Sequence, residues 1–156
     1  MSTALTMTAD GGDLALSSQG LGVDPGLGSA VLLSLFCDAR ARRDDLPEDT
    51  LESRRGWWGD LEGDRFGSRL WLQRRAKQTG PTLREFEQAA LDALEWLVRE
   101  QVVQRVEVEA SYPGAGIVCL LVRLVRGEAR RWAERWEATQ SSSYDVSGLT
   151  LHLETL

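Results

Sequence analysis

The sequence is poor in the residues from which most enzyme and metal sites are built. Its 156 residues include one histidine, His152, one lysine, Lys77, and two cysteines. A single histidine near the C-terminal end excludes most zinc sites, and it excludes a histidine-based catalytic triad in the body of the chain. Cys37 and Cys119 both lie among apolar residues. We therefore expect two buried thiols, with a disulfide left open but unsupported by the sequence.

Long apolar runs and a positive charge excess are also absent. No stretch of about 18 apolar residues occurs, and residues Met1 to Asp13 have neither a basic start nor a continuous apolar run. We predict no membrane span and no secretory signal. The net charge is -6, and the 18 basic residues are spread along the chain, almost all of them arginine. This argues against nucleic-acid binding, which needs clustered Lys and Arg.

Three helices are predicted in the first hundred residues. The first runs from Leu27 to Ala39, is apolar nearly all round and follows Asp24-Pro25, a typical N-cap and first-position pair. The second opens at Asp60 or Asp64 and runs through Lys77. The third begins with a capping-box pattern from Thr82 to Glu85 and runs to about Glu100. Its apolar residues recur at steps of three and four, which defines one buried face: Leu83, Phe86, Ala90, Ala93, Leu94 and Leu97.

Beyond the third helix the apolar period changes from helical to two. Arg105 to Ala110 alternates as a half-exposed strand does, Pro113 to Gly116 is a turn signal, and Ile117 to Val125 is apolar enough for a strand covered by helices. Ala129 to Ala138 fits both helix and strand spacing, and we favour a third antiparallel strand that completes a meander. Thr139 to Ser143 is interpreted as a linker.

The chain ends are predicted to be short and extended. Ala4 to Thr8 and Asp13 to Leu16 form an N-terminal hairpin around the turn signal Asp10-Gly11-Gly12. Leucines alternate with polar residues from Leu149 to Leu153, as in a strand-like tail. The sequence thus predicts one α+β domain over residues 1–139, with a small antiparallel sheet packed by three helices, and a linker and tail over residues 140–156.

Candidate catalytic groups were tested against the chemistry that each would need. Glu52, Asp60, Glu62 and Asp64 lie close in sequence, but glycoside hydrolysis needs one carboxyl in an apolar pocket and a partner roughly 5–9.5 Å away. A charge run in a solvated loop supplies neither. Ser68 has no histidine to act as its base, and the glycine spacing matches no phosphate-binding pattern. We predict no catalytic residue, no cofactor and no metal site.

The most unusual segment is "RRGWWGD", residues 54–60, in a charged, aperiodic stretch over residues 40–63. Stretches of this length without regular structure are usually functional or disordered. Glycines on both sides of Trp57-Trp58 allow a tight turn, and tryptophan and arginine are enriched at interface hot spots. Two interpretations stay open at this point: the rings pack on the core, or they contact a partner.

Six blocks of the sequence together resemble the small baseplate wedge protein of Mu-like contractile-tailed phages, within the wider sheath-initiator family of contractile injection systems. In order, they are "GGDLAL", "AVLLSLFCDARA", "RRGWWGD", "GSRLWLQRRAKQT", "ALEWLVRE" and "RVEVEA". They cover about residues 11 to 126, and "RRGWWGD" followed by "GSRLW" is the most specific part. The wider family ends its long helix with Glu-Pro-Arg, whereas Glu100 to Arg105 has no proline, so contacts of that tripeptide are not carried over.

The resemblance implies a structural role in a virion. Members of this family sit in the inner baseplate, six copies around the tube, and are made in the host cytoplasm. They contact the other wedge proteins and the tube-side hub, and they carry a sheet on which the first ring of sheath subunits builds. The implied fold is α+β, in agreement with the reading of the residues. The family is sometimes named lysozyme-like, but the residues give no reason to expect an enzyme.

The resemblance implies that the tryptophan segment anchors a permanent subunit interface, and we expect Trp71 to lie in the core. The expected interface residues are Arg54, Arg55, Gly56, Trp57, Trp58, Gly59, Asp60, Ser68 and Arg69. Two alternatives remain: a wall-degrading glycosidase of the same particle, and a free-standing binding module for another protein.

Overall fold

The computed structural model describes residues 2–8, 11–18, 20–24, 26–45, 54–60, 65–125, 141–146 and 149–155. These residues form an α+β fold, as predicted. In chain order the elements are β1 (Ser2–Thr3), β2 (Leu5–Thr8), β3 (Gly11–Leu14), β4 (Leu16–Ser17), β5 (Gly20–Leu21), β6 (Val23–Asp24), α1 (Gly28–Phe36), α2 (Gly80–Arg99), β7 (Arg105–Gly114), β8 (Ile117–Val125), β9 (Ser141–Val146) and β10 (Leu149–Thr155), with 3₁₀ segments at Arg43–Asp45 and Leu70–Arg75.

The core lies between helix α2, helix α1 and one face of the β7–β8 hairpin. The period-two pattern of β8 places Leu120, Val122 and Leu124 on that face, and all three side chains are fully buried. The α2 residues that meet them repeat at helical spacing, which confirms most of the predicted face. The buried apolar residues of the two helices are Val31, Leu32, Leu35, Phe86, Ala89, Ala90, Leu94 and Leu97.

Helix α2 begins earlier than the capping-box pattern predicts. Its N-cap is Thr79, whose side-chain oxygen accepts a hydrogen bond from the Thr82 backbone N–H at 3.3 Å. Gly80 and Pro81 occupy the first turn, where proline is tolerated because its missing N–H needs no partner there. Thr82 lies inside the helix, buried, and donates to the Lys77 carbonyl at 2.8 Å. The prediction of Thr82 as N-cap is therefore wrong by three residues.

We expect Thr79→Ala to lower the free energy of unfolding by about 1 kcal/mol, because it removes the side-chain acceptor at the start of α2. Thr79→Ser keeps that oxygen and should stay close to the parent. Urea denaturation followed by circular dichroism would measure both variants. Equal midpoints for Thr79→Ala and the parent would show that this cap does not stabilise the helix.

Helix α1 is shorter than predicted at both ends. It spans Gly28–Phe36, has Leu27 as N-cap without a side-chain hydrogen bond, and is followed by Cys37 in an extended conformation. Asp24 lies in β6, where it pairs with Ser2, so the expected Asp24 cap is wrong. Local propensity favours Asp24 as a helix cap, but Asp24 pairs with Ser2 in a strand instead. The helix is anchored on α2 by the Trp96 indole, whose Nε1 donates to Ser34 Oγ at 3.0 Å.

The second predicted helix is a 3₁₀ segment. Leu70–Arg75 has no side-chain cap at Arg69, and Ala76 beyond it is extended. A helix from Asp60 or Asp64 does not continue through this region, because Gly67 has a positive φ and the Ser68 backbone hydrogen-bonds to Cys37 and Ala39. Among the described residues there are two α-helices rather than three, and no described helix is long and apolar enough to cross a membrane.

The β7–β8 hairpin confirms the predicted antiparallel pair, with Arg105 opposite Val125 and Gly114 opposite Ile117. The turn is tighter than predicted, because Pro113 and Gly114 still belong to β7. The sheet as a whole is not an antiparallel meander. Its order is β7-β8-β10-β9, and β10 runs parallel to β8. The strand predicted over Ala129 to Ala138 lies outside the described residues.

Both chain ends contain more regular structure than predicted. The N-terminal hairpin is confirmed by the pairing of Leu5 with Leu14, although Gly11 and Gly12 belong to β3 rather than to the turn. Residues 20–24, for which no element was predicted, supply two further short strands, β5 and β6. The predicted Ser-rich linker differs as well, because Ser141–Ser143 lie in β9. The predicted domain boundary at residue 139 falls outside the described residues.

Candidate functional site

The segment over residues 65–69 is fastened to the chain that follows α1. Ser68 donates its backbone N–H to the Cys37 carbonyl at 2.9 Å and accepts from the Ala39 N–H at 2.8 Å. Gly67 has φ = 93°, and a Cβ there would lie 2.5 Å from the Cys37 carbonyl oxygen. A left-handed conformation and this close approach both require glycine. These contacts fix the position of Phe66 at the start of the segment.

A second set of contacts, two hydrogen bonds and a close backbone approach, holds residues 54–56 against residues 40 and 41. The Ala41 N–H donates to the Arg54 carbonyl at 2.9 Å, and the Arg54 guanidinium Nε donates to the Ala41 carbonyl at 2.9 Å. Gly56 has φ = 104°, and a Cβ there would lie 2.7 Å from the Arg40 Cβ. Residues 54–60 and 65–69, called here the aromatic loop, are thus attached at two points to the chain that follows α1.

The Arg55 side chain links the aromatic loop to the 3₁₀ segment. Its Nη1 lies 2.6 Å from Asp38 Oδ2, and its guanidinium carbon lies 4.6 Å above the Trp71 ring. Trp71 in turn donates its indole N–H to the Ala39 carbonyl at 2.9 Å. The Arg55–Asp38 pair is too exposed to stabilise the fold much by itself, but together with the stacking it defines where the backbone of residue 55 lies. Arg55 has φ = 53°, an uncommon conformation for a residue with a side chain.

Three aromatic rings form the exposed part of the loop. The Trp57 ring centroid lies 5.5 Å from that of Trp58 and 6.0 Å from that of Phe66, and the second pair meets edge to face. A Cβ at Gly59 would fall 2.6 Å from the Trp57 ring, so the ring rests on bare backbone. Trp58 is 92% exposed and Trp57 is 48% exposed. Tryptophan is rarely left in water to this extent, because it removes more apolar area on burial than other side chains do.

Ser68 and Arg69, predicted as interface residues, are built into the fold. Ser68 is buried, and its hydroxyl donates to the Leu35 carbonyl at the end of α1. Arg69 Nη2 lies 2.6 Å from Asp92 Oδ2 on α2, and its Nη1 lies 3.3 Å from Asp45. Both residues therefore hold the loop in place and offer little surface to a partner.

No catalytic arrangement is present at the loop within the described part of the chain. Asp60 Oδ1 accepts from the Phe66 N–H at 3.0 Å, while its Oδ2 is buried with no hydrogen-bond partner among those residues. The other predicted carboxylates, at positions 52, 62 and 64, lie outside the described residues.

Cys37 and Cys119 are free thiols, each partly rather than fully buried. Burial, and then the charge of Asp38, raises the pKa of Cys37, so its thiol stays protonated and weakly nucleophilic at neutral pH. Among the residues that the structure describes, no group of three or more histidine, cysteine, aspartate or glutamate side chains could hold a metal ion.

Two partners of the loop were not singled out from the sequence. Asp38 accepts a hydrogen bond from Arg55, which is 17 residues away in sequence. Asp92 accepts one from Arg69, which is 23 residues away. Charge complementarity alone cannot select one carboxylate among 24. Phe66 falls inside the second predicted helix, whereas it lies before the 3₁₀ segment and packs on Trp57. The glycines around the two tryptophans were the sequence feature that indicated the aromatic loop as a candidate site.

The fold and the loop define a small α+β protein whose exposed feature is aromatic rather than catalytic, as far as the described residues extend. The family model described as "Phage protein GP46" matches residues 27–131, and the chain belongs to this family. It is 39% identical over 124 residues to "Mu-like prophage FluMu protein gp46" of Haemophilus influenzae. It is also 39% identical over 122 residues to "Baseplate protein gp46" of Escherichia phage Mu.

Each of these two comparisons covers 78% of this chain and 84% of the relative. The similarity therefore extends over most of the length of both partners rather than over one motif. The resemblance to the Mu-like branch, drawn from six ordered blocks, is confirmed.

Proposed function

We propose that this chain is a non-enzymatic structural component of a contractile-tail baseplate and that it is located in the virion. The support for the baseplate role is its family and the printed name of the phage Mu relative, "Baseplate protein gp46". The support for a non-enzymatic role is the lack of a catalytic group beside the aromatic loop within the described residues.

The single observation that carries a protein-binding role is the exposure of Trp58 on a fixed loop. The rings at 57, 58 and 66 are held by backbone hydrogen bonds, two left-handed glycines and the Arg55 stack. A mobile aromatic residue loses conformational entropy on binding, whereas a loop already held in place loses less. An exposed pair of tryptophans on such a loop is what an interface hot spot requires.

The finer part of the proposal concerns neighbours and copy number. We infer an inner wedge position with six copies per baseplate, contacts to other wedge proteins and to the tube-side hub, and a role in initiating the sheath. Of the predicted interface residues, Arg55, Trp57 and Trp58 present the most surface. The contact with a neighbouring protein is accordingly centred on the two rings, while Arg54, Gly56, Gly59, Asp60, Ser68 and Arg69 shape and hold the loop.

The baseplate role is tested by the protein content and structure of purified particles. Phage particles that encode this chain should contain it at the baseplate end of the tail, detectable by labelling with a specific antibody under the electron microscope. Deletion of its gene should yield no sheathed tails, and supply of the chain in trans should restore them. Normal sheathed tails without the chain would contradict the proposal.

A glycosidase of the same particle is the alternative, and it makes a separate prediction. We expect no release of soluble fragments when the purified chain is incubated with peptidoglycan, with lysozyme as the active control. The reason is that Asp60, the described member of the carboxylate group, accepts a backbone hydrogen bond in the loop rather than lining an apolar pocket. Hydrolysis abolished by Glu52→Gln or Asp60→Asn would overturn the non-enzymatic assignment.

A further inference from the structure

Two arginines that take no part in holding the aromatic loop border its exposed rings. Arg40 lies against Gly56, directly before Trp57, and a Cβ on Gly56 would fall 2.7 Å from the Arg40 Cβ. Arg65 directly precedes Phe66, whose ring centroid lies 6.0 Å from that of Trp57. Both arginines are exposed, and within the described part of the chain neither side chain makes an ion pair or a hydrogen bond.

The arginines that hold the loop differ from these two because each has a partner inside the chain. Arg54 donates to a backbone carbonyl. Arg55 is paired with Asp38 at 2.6 Å, and Arg69 is paired with Asp92 at 2.6 Å. Their charges are therefore used within the fold, whereas those of the two bordering arginines are left for a group outside it.

The described carboxylates beside the rings do not neutralise this border. Asp38 is paired with Arg55. Asp60 accepts the Phe66 N–H through Oδ1 at 3.0 Å, and its Oδ2 is buried and not presented at the surface. The charges that this border presents without an internal partner are thus positive, in a chain that has 24 acidic and 18 basic residues.

An apolar centre with a positive border complements a segment that has an apolar centre and carboxylates beside it. Arginine forms bidentate, charge-assisted hydrogen bonds with carboxylates. A segment with lysine or arginine at those places is repelled, so the border discriminates between partners. Single-stranded nucleic acid also combines anionic groups with rings that stack. The net charge of -6 opposes such a polyanion, and two arginines are too few to neutralise many phosphates.

We propose that the aromatic loop binds an acidic segment of a neighbouring protein, one with an apolar centre flanked by aspartate or glutamate. Trp57 and Trp58 supply the buried area, and Arg40 and Arg65 each face a carboxylate and select the partner. The inference rests on the proposed function for the identity of that neighbour as a tail protein.

The test measures binding of the full chain to labelled synthetic peptides by fluorescence anisotropy. The probe has two leucines at its centre and two glutamates on each side, and its counterpart has lysine in place of every glutamate. We expect the glutamate peptide to bind at least about tenfold more tightly than the lysine peptide, because the second places like charges together. Added salt should reduce this preference, since the pairs at the border are exposed.

Charge reversal shows whether the two arginines cause the preference. Arg40→Glu with Arg65→Glu should bind the lysine peptide more tightly than the glutamate peptide. Arg84→Glu is the matched control, since Arg84 is an exposed arginine of α2, and this variant should keep the preference of the parent. Circular dichroism melting checks that each variant is folded. If the reversed variant is not, Arg40→Gln with Arg65→Gln takes its place and should bind both peptides equally.

Four results would overturn the proposal. Three concern the parent chain: equal binding of the two peptides, binding of neither, or tighter binding of single-stranded oligothymidylate than of the glutamate peptide. The last of these would assign the loop to nucleic acid. The fourth is a folded variant without the two arginines that keeps the preference of the parent. No baseplate protein takes part in these measurements, so their failure is distinct from failure of the baseplate role, which is judged on particles.

Discussion

Leu94→Asp is expected to abolish folding. Leu94 is fully buried on the face of α2 that packs against the sheet, and it lies in the same core cluster as Leu120 and Val122. An aspartate there has no described cation within the core to pair with, and removing a leucine also leaves a cavity. An unpaired buried charge costs several kcal/mol, against a total stability of roughly 5–15 kcal/mol for a domain.

Val98→Asp is the matched control, since it makes a similar change on the same helix at a position that is 40% exposed. We expect a loss of under about 1 kcal/mol for this variant. Circular dichroism melting of both variants beside the parent measures the difference. If Leu94→Asp melts within a few degrees of the parent, the face of α2 that packs on the sheet has been assigned wrongly.

The double change Trp57→Ala, Trp58→Ala is expected to leave a folded, soluble chain that no longer enters baseplates. The rings lie outside the core cluster, and the backbone of the loop is held by residues that this variant keeps. A hot-spot tryptophan commonly contributes about 2 kcal/mol or more to an interface. A loss of that size lowers affinity about 30-fold at each copy of the contact.

Melting and incorporation into particles must be measured side by side for this variant. Leu16→Ala is a suitable control, because Leu16 is 81% exposed and apolar but lies in the N-terminal strands. It should assemble normally. A double variant that melts far earlier than the parent would place the rings in the core, and one that is stable and assembles normally would refute the anchor role.

The arginines beside the rings should have a milder effect on assembly. Arg54 and Arg55 make their contacts within the chain, to the Ala41 carbonyl and to Asp38 and Trp71. Their removal loosens the loop but keeps the two rings on which the contact is centred. We expect Arg55→Met to reduce incorporation by less than the double tryptophan change, with little loss of thermal stability because the ion pair is exposed. Equal or greater loss of incorporation would assign Arg55 a direct contact with the partner.

The sequence by itself determined the elements whose signal is local and repeated. The three-and-four spacing of α2, the alternation in β7 and the continuous apolar run of β8 each reflect burial of one face, and the structure has all three elements close to the predicted residues. The six ordered blocks were also sufficient to indicate the family, because they are a property of the chain and need no coordinates.

Only the tertiary structure decided which local signals prevail where two compete. Asp24 and Thr82 both fit helix caps, yet Asp24 is taken by strand pairing with Ser2 and Thr82 is buried one turn inside α2. The second predicted helix is replaced by a 3₁₀ segment because the Ser68 backbone is hydrogen-bonded to Cys37 and Ala39. Such contacts join residues about 30 positions apart, and no periodicity encodes them.

Contacts between residues far apart in sequence also determine which residues of the tryptophan segment are exposed and which hold the loop in place. From the sequence, Trp57, Trp58, Ser68 and Arg69 were equal members of one expected interface. In the folded chain Ser68 and Arg69 are bound to Leu35 and to Asp92, far away in sequence, and Trp58 is left in water. The parallel pairing of β10 with β8 is of the same kind, since the alternation of leucines predicts a strand but names neither its neighbour nor its direction. Composition and hydrophobic periodicity indicate whether a residue tends to be buried. Which residue it packs against depends on contacts between segments that are far apart in the sequence, and these form only when the whole chain folds.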